Sequence, residues 1–178
     1  MKFLKHIAVP LVLLTILLVN LAVAKDLVPY PTQVNDIMRY QRVAPNIATS
    51  GALTNGAIQE LIKHDFRTII DLRTEQEGTN NERLAIKKTD MAYFNIPVTR
   101  DGIDESQLAA FKEVLAQSAA PILLHCATGN RAGAMWTVYR LSEGIPADRA
   151  FKEGQSAGMS NAMTEIIKKK WCQDREDC

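Results

Sequence analysis

Cysteine is scarce in this chain: there are three, Cys126, Cys172 and Cys178, an odd number that leaves at least one without an intrachain partner. Charge of either sign is equally undistinguished. Twenty-one Lys and Arg stand against twenty Asp and Glu, a net charge of +1, and no basic run is long enough for a groove that tracks a phosphate backbone, so nucleic acid is excluded as an expected partner. The "KKKW" at Lys168 to Trp171 reads as the solvated end of a helix, where cations suit the dipole. With only three histidines and no Cys/His/carboxylate cluster at ligand spacing, no metal or other cofactor is expected. Internal repeats and low-complexity tracts are absent as well. What remains, 178 residues of which 47% are hydrophobic and 23% charged, suits one globular domain with an ordinary core.

One long hydrophobic run is present, at the start. "MKFLKHIAVPLVLLTILLVNLAVA" carries Lys2 and Lys5, an apolar stretch from about Ile7 to Val19, and then Ala22-Val23-Ala24, the small-x-small pattern of a signal-peptidase site. Residues 1–24 are therefore expected to be a signal peptide, and the mature protein to be periplasmic or secreted. The competing reading is an uncleaved membrane anchor, because Ile7 to Ala24 is eighteen residues with only Thr15 and Asn20 polar. Pro10 and Asn20 favour cleavage. Export matters for the thiols, which pair in an oxidising compartment. Cys172 and Cys178, six apart in the polar tail "WCQDREDC", form the expected disulfide and leave Cys126 free, either as a reactive thiol or as a small buried hydrophobe. A tail able to swing over Cys126 would trap it in a mixed disulfide.

Residues 25–42, with three prolines from Lys25 onward to Asn46, read as a loosely packed lead-in. From 43 to 171 the pattern alternates. "NIATSG" is a strand, and "LTNGAIQELIKHDF" is a helix with Thr54 as N-cap and Ile58, Leu61 and Ile62 at helical spacing. "RTIIDLR" is a strand buried on both faces, "NNERLAIKKTD" a helix and "MAYFNIPV" a strand. "DESQLAAFKEVLAQS" opens with a capping signal at Asp104 and Gln107, and "APILLHC" is again a buried strand. Strands separated by helices predict βαβ units and an α/β domain with a central, mostly parallel sheet of four to five strands flanked by helices. After Arg131 the pattern is all helical, with Gly144 and Gly158 as C-terminal caps, and residues 172–178 form a tail.

In open parallel sheets ligands bind beyond the carboxyl ends of the strands, and Cys126 sits at such an end in "LLHCATGNRAGA". A thiol attacks only as its thiolate. A helix starting near Arg131 would aim its N-terminus at the sulfur, the amides of Ala127, Thr128, Gly129 and Asn130 can curl toward it, and the Arg131 guanidinium is permanently cationic. The same groups would hold an oxyanion for attack. Gly129 lets the loop take backbone angles forbidden to other residues.

"HC" followed by Gly and Arg between strand and helix resembles the cysteine-dependent protein phosphatases, and "IATSGALT…FRTIIDLR…E…IPV…LLHCATGNRAGA" is similar to the bacterial beta-lactamase hydrolase-like phosphatase family, over about Val43 to Gly158. The resemblance implies a dual-specificity-phosphatase fold and a shallow pocket, with Cys126 as nucleophile, Arg131 as phosphate clamp and an upstream aspartate as general acid. It implies phosphorylated protein or a small-molecule phosphoester as substrate. Two features depart from the pattern. Only four residues separate Cys126 from Arg131, where phosphatase loops have five, and the position after the arginine is Ala132 rather than Ser or Thr. A C-x4-R loop is also similar to that of rhodanese sulfurtransferases, in which the cysteine carries a persulfide. A third possibility is a loop that binds phosphate or sulfate without turnover.

Asp101, in "VTRDGID" and twenty-five residues before Cys126, is the expected general acid; Asp104 is the rival, though capping explains it. Arg73 is expected at the same rim, either drawing in an anion or paired with Asp71. His125 alternates to the opposite side of its strand from Cys126 and is expected to support the loop by hydrogen-bonding its backbone.

Overall fold

The computed structural model describes Val34, residues 36–173 and residues 175–178. The expected signal segment and most of the lead-in lie outside these residues. Among the described residues no helix is long and apolar enough to cross a membrane.

Short β-branched and apolar runs build a five-stranded sheet. In chain order the elements are β1 (Gln41–Ala44), β2 (Ile47–Ser50), α1 (Asn55–Lys63), β3 (Thr68–Asp71), a 3-10 turn (Glu75–Glu77), α2 (Thr79–Ile86), β4 (Ala92–Asn95), α3 (Glu105–Gln117), β5 (Ile122–His125), α4 (Asn130–Ser142), α5 (Ala147–Ser156) and α6 (Asn161–Trp171). The sheet order is β1-β2-β5-β3-β4, with every neighbouring pair parallel except β1 with β2. Thr54 caps α1 by accepting from the Ala57 amide, and Asp104 with Gln107 forms the capping box of α3, both as the sequence predicts.

The lead-in differs from expectation. Val34, Ile37 and Tyr40 are buried, and β1 runs antiparallel along β2, because three apolar side chains in this segment find a place against α1 and the sheet. Alternation along the strands then divides the core. Ile69 and Leu123 face α1 and α2, whereas Ile70, Leu124 and Cys126 face the layer of α3 to α6. Within that second layer α4 and α5 cross closely: a Cβ on Gly154 would overlap the Thr137 hydroxyl, so only a bare backbone fits there.

The register sets out the functional edge. Ser50, His125, Asp71 and Asn95 lie side by side in one row at the carboxyl ends of β2, β5, β3 and β4. The tail lies elsewhere. Cys172 and Cys178 are joined as a disulfide, Arg175 donates to the carbonyls of Leu141 and Ile145, and Asp177 accepts from the Ala147 amide. The tail is thus held at the end of α4 remote from Cys126 rather than swinging over it.

Candidate active site

Cys126 leaves β5 fully buried, and the chain turns at once through Ala127, Thr128 and Gly129 into α4. Gly129 has φ +84°, in the left-handed region that disfavours side chains, and its carbonyl accepts the amide of Gly133 to start the helix. Two carbonyls of the loop are pulled outward: that of Ala127 accepts the Ala52 amide at 3.1 Å and that of Thr128 accepts the Arg39 guanidinium at 3.0 Å. In a trans peptide the following N–H points the opposite way, so the amides of Thr128 and Gly129 point away from Ala52 and Arg39. The Asn130 side chain ties the start of α4 to α6 by accepting from the Ser160 amide at 2.8 Å.

A cavity of about 420 Å³ opens over this loop, lined by Ala127, Thr128, Asn130 and Arg131 with Thr74, Glu77, Thr99, Arg100 and Met163 around the rim. It has a cradle at its floor and cations at its wall. Arg131 reaches across it: its guanidinium donates to both oxygens of Glu77, at 2.7 Å to Oε2, and to the carbonyls of Leu72 and Val98. The Arg131 hydrogen bond pulls the Glu77 carboxyl down to about 2, and Glu77 in turn holds the guanidinium above its ordinary value, aided by the nearby Cys126 sulfur. A second cleft, of about 360 Å³ between β1 and α5, has no cysteine among its lining residues.

The sequence-derived residues divide into three groups. Cys126, Ala127, Thr128, Gly129, Asn130 and Arg131 form one loop, as expected. Asp101 lies on the turn beside it, exposed, with its Oδ2 accepting the hydroxyl of the rim residue Thr99 at 3.1 Å. Asp104 is occupied as the cap of α3.

Of the two readings for Arg73, the ion pair with Asp71 is the one that forms, and His125 is not where it was expected. Arg73 is 7% exposed and turned away from the cavity, bridging Asp71 Oδ2 at 2.7 Å and Glu82 Oε2 at 2.6 Å. Paired inside the protein, it is unavailable to an incoming anion. His125 does face away from Cys126, but its ring lies against this buried group instead of the loop backbone, with Nε2 2.8 Å from Glu82 Oε1 and 3.7 Å from Asp71 Oδ1. Burial pushes the Asp71 carboxyl up, yet the hydrogen bonds from Arg73 and Tyr93 outweigh it and leave the group below its ordinary value.

Asp71, Glu82 and His125 make a ligand-type cluster that linear spacing did not show. The Arg73 guanidinium already bridges its two carboxylates, so the cation of this cluster is an arginine.

Glu77 and Glu82 were not singled out from the sequence. Glu77 had a signal, since "TEQE" is a Thr-x-x-Glu capping box, and the box forms here with Thr74. Glu82 had none, because a single acid on a polar helix is ordinary.

The chain matches the model of the family described as DSP-PTPase phosphatase fused to NAD+ Kinase over residues 16–174. A beta-lactamase hydrolase-like protein of Xylella fastidiosa (strain 9a5c) is 29% identical over 126 residues, covering 68% of this chain and 28% of the relative. The chain thus spans little more than a quarter of the length of the curated relatives it matches. Among solved structures, P. aeruginosa TpbA in complex with pTyr superposes with a TM-score of 0.62 at 18% identity, covering 83% of this chain and 91% of that one. The core catalytic domain of the PP-IP phosphatase SIW14 from S. cerevisiae, in complex with citrate, gives 0.62 at 20% identity over 76% and 87%. At these identities the structures speak for the fold, and the family match speaks for the lineage: the chain belongs to the family described as DSP-PTPase phosphatase fused to NAD+ Kinase.

Proposed function

We propose that the protein is an exported, cysteine-dependent phosphatase that hydrolyses phosphomonoesters through a phosphocysteine intermediate. The observation that carries the proposal is a buried cysteine at a strand end, opening a loop that lines a cavity and whose arginine is anchored by a carboxylate. The Cys126 thiolate attacks phosphorus, and the bond from phosphorus to the ester oxygen breaks. Arg131 and the loop amides hold the non-bridging oxygens as negative charge concentrates there. Asp101, beside the mouth, gives its proton to the departing oxygen. Water then attacks the phosphocysteine, releasing inorganic phosphate and restoring the thiolate.

Phosphorylated protein or a small phosphoester is the proposed substrate class, in keeping with the phosphotyrosine bound by TpbA. Periplasmic or secreted location is proposed from the Lys2/Lys5, apolar-run and Ala22-Val23-Ala24 pattern, and the Cys172–Cys178 disulfide accords with it.

The four-residue spacing between Cys126 and Arg131 favours one rival, a rhodanese-like sulfur transfer from thiosulfate through a persulfide on Cys126. One experiment separates them: p-nitrophenyl phosphate, an alkyl phosphate and thiosulfate with cyanide as acceptor are offered to the native protein, to Cys126→Ser and to Asp101→Asn. Phosphatase chemistry predicts release of phosphate that Cys126→Ser abolishes. Asp101→Asn should slow the alkyl ester about tenfold or more while sparing p-nitrophenyl phosphate, whose leaving group departs without a proton. Thiocyanate formation with no phosphate release would give the protein to the sulfurtransferases.

A further inference from the structure

The β3–α2 connection touches both ends of the catalytic loop. From one segment, Glu77 grips Arg131 at the loop's far end, while Arg73 and Glu82 enter the buried cluster against His125, the residue directly before Cys126. Asp71, at the start of the segment, is the register partner of His125, so β3 and β5 bring the two together whatever their side chains do.

The cluster is enclosed to an unusual degree. Asp71 and His125 side chains are fully buried, and those of Glu82 and Arg73 are 5% and 9% exposed. The charged and titratable groups packed around the imidazole are Asp71 and Arg73 at the end of β3, Glu82 on α2 and, one residue along the chain, Cys126; Tyr93 of β4 reaches Asp71. Every polar atom of Arg73 and Asp71 that faces inward has a partner. Among the described residues, Glu82 Oε1 and both ring nitrogens of His125 have no conventional hydrogen-bond partner, although Nε2 and Oε1 lie 2.8 Å apart in a charge-type contact. Two carboxylates, one guanidinium and one imidazole share this enclosed space, with Glu82 nearest to the imidazole. Isolated buried charge is costly, so an apolar pair of similar volume would serve stability better. The contact is one that packing alone does not account for.

We propose that Glu82 is a positioning residue for the phosphatase reaction: through its contact with His125 it fixes the backbone from which Cys126 projects. The reach is short. The His125 carbonyl accepts the Leu72 amide at 2.8 Å, whereas the Cys126 amide meets the Ser50 carbonyl only at 3.4 Å, so the sulfur takes its position chiefly from the residue before it. A displacement of about 1 Å at a nucleophile costs on the order of a hundredfold in rate. Glu82 touches neither substrate nor sulfur, and it acts on the loop from behind. The inference rests on the phosphatase reading, and its test is built to fail separately from it.

The variants are Glu82→Gln, Glu82→Asp, His125→Asn and the double variant Glu82→Gln/His125→Asn. Three quantities are read on folded protein, with the folded fraction taken from unfolding curves: kcat and KM for p-nitrophenyl phosphate, and the rate at which iodoacetate alkylates Cys126. Positioning predicts that Glu82→Gln lowers kcat about tenfold or more with KM within about threefold, slows alkylation, and is partly rescued by Glu82→Asp, which keeps the charge. It also predicts that Glu82→Gln adds little once His125 is already Asn, because the two act through one contact. Unchanged kcat and alkylation in Glu82→Gln, or full additivity in the double variant, overturns the proposal. Should Glu82→Gln fail to fold, His125→Asn decides: lowered kcat with slowed alkylation supports positioning through this contact, and unchanged values overturn it. If the native protein turns over no phosphate ester but Glu82→Gln still slows alkylation, the positioning role stands and the phosphatase reading falls.

Discussion

Two arginines in this protein each meet carboxylates, Arg73 in the cluster behind β5 and Arg131 in the cavity in front of it, and the guanidinium groups are almost equally enclosed, at 9% and 12%. The difference lies in their partners. Asp71 and Glu82 are 0% and 5% exposed, and Glu77 is 31% exposed. Arg73 therefore has a closed set of contacts, whereas Arg131 faces solvent through its partner. Enclosure of the acid, not of the base, separates the two ion pairs.

The largest effect expected from breaking that contrast is on Arg73. Arg73→Met leaves two buried carboxylates uncompensated and should cost about 3–5 kcal/mol of stability, read from urea unfolding, an order typical of severed buried pairs. A loss below about 1 kcal/mol would mean that the cluster rearranges or admits water, and the contrast would collapse. Next in size is Arg131→Lys, which keeps the charge but loses the planar fork. It should lower turnover of a phosphate ester by about tenfold or more while costing stability only about 1 kcal/mol, as expected of a partly open pair. Equal losses of stability at the two arginines would remove the distinction.

The smallest effect is on Glu77. Its carboxyl is held at about 2 by Arg131, against an ordinary value of 4.5, so its contribution to stability is complete above about pH 4.5 and is lost as the pH falls through about 2. Glu77→Gln should lower stability near neutrality by less than about 1 kcal/mol and flatten its fall across that acid window by the same amount. A variant whose acid limb matches that of the native protein would place the interaction elsewhere.

How much of this was legible in the sequence depends on whether the determining signal is local. The α1 and α3 caps and the Cys126–Arg131 loop announce themselves within a few residues, since Thr54, Asp104 and Gly129 each act on backbone groups close by in the chain. The strand β1 did not, being four half-buried residues whose pairing is dictated by β2. Arg73 was placed at the rim because it ends a strand on the ligand-binding edge, and the sequence offered Asp71 as the alternative partner. What it lacked was Glu82, nine residues on, whose helix returns it against β3 and decides which way Arg73 turns. His125 was assigned to the correct side by alternation and to the wrong partner for the same reason.

The anchored tail has a bearing on sulfur chemistry. Helix α4, at thirteen residues, is about 20 Å long, with Cys126 just before its first turn and Arg175 holding the Cys172–Cys178 loop at its last. Cysteines can join only when their α-carbons approach within about 7 Å. The helix therefore acts as a spacer between two sulfur environments, one oxidised and outward, the other reduced and enclosed. Of the three pairings that three cysteines allow, the folded chain permits one, and an oxidant that reaches the tail has no intramolecular route to Cys126.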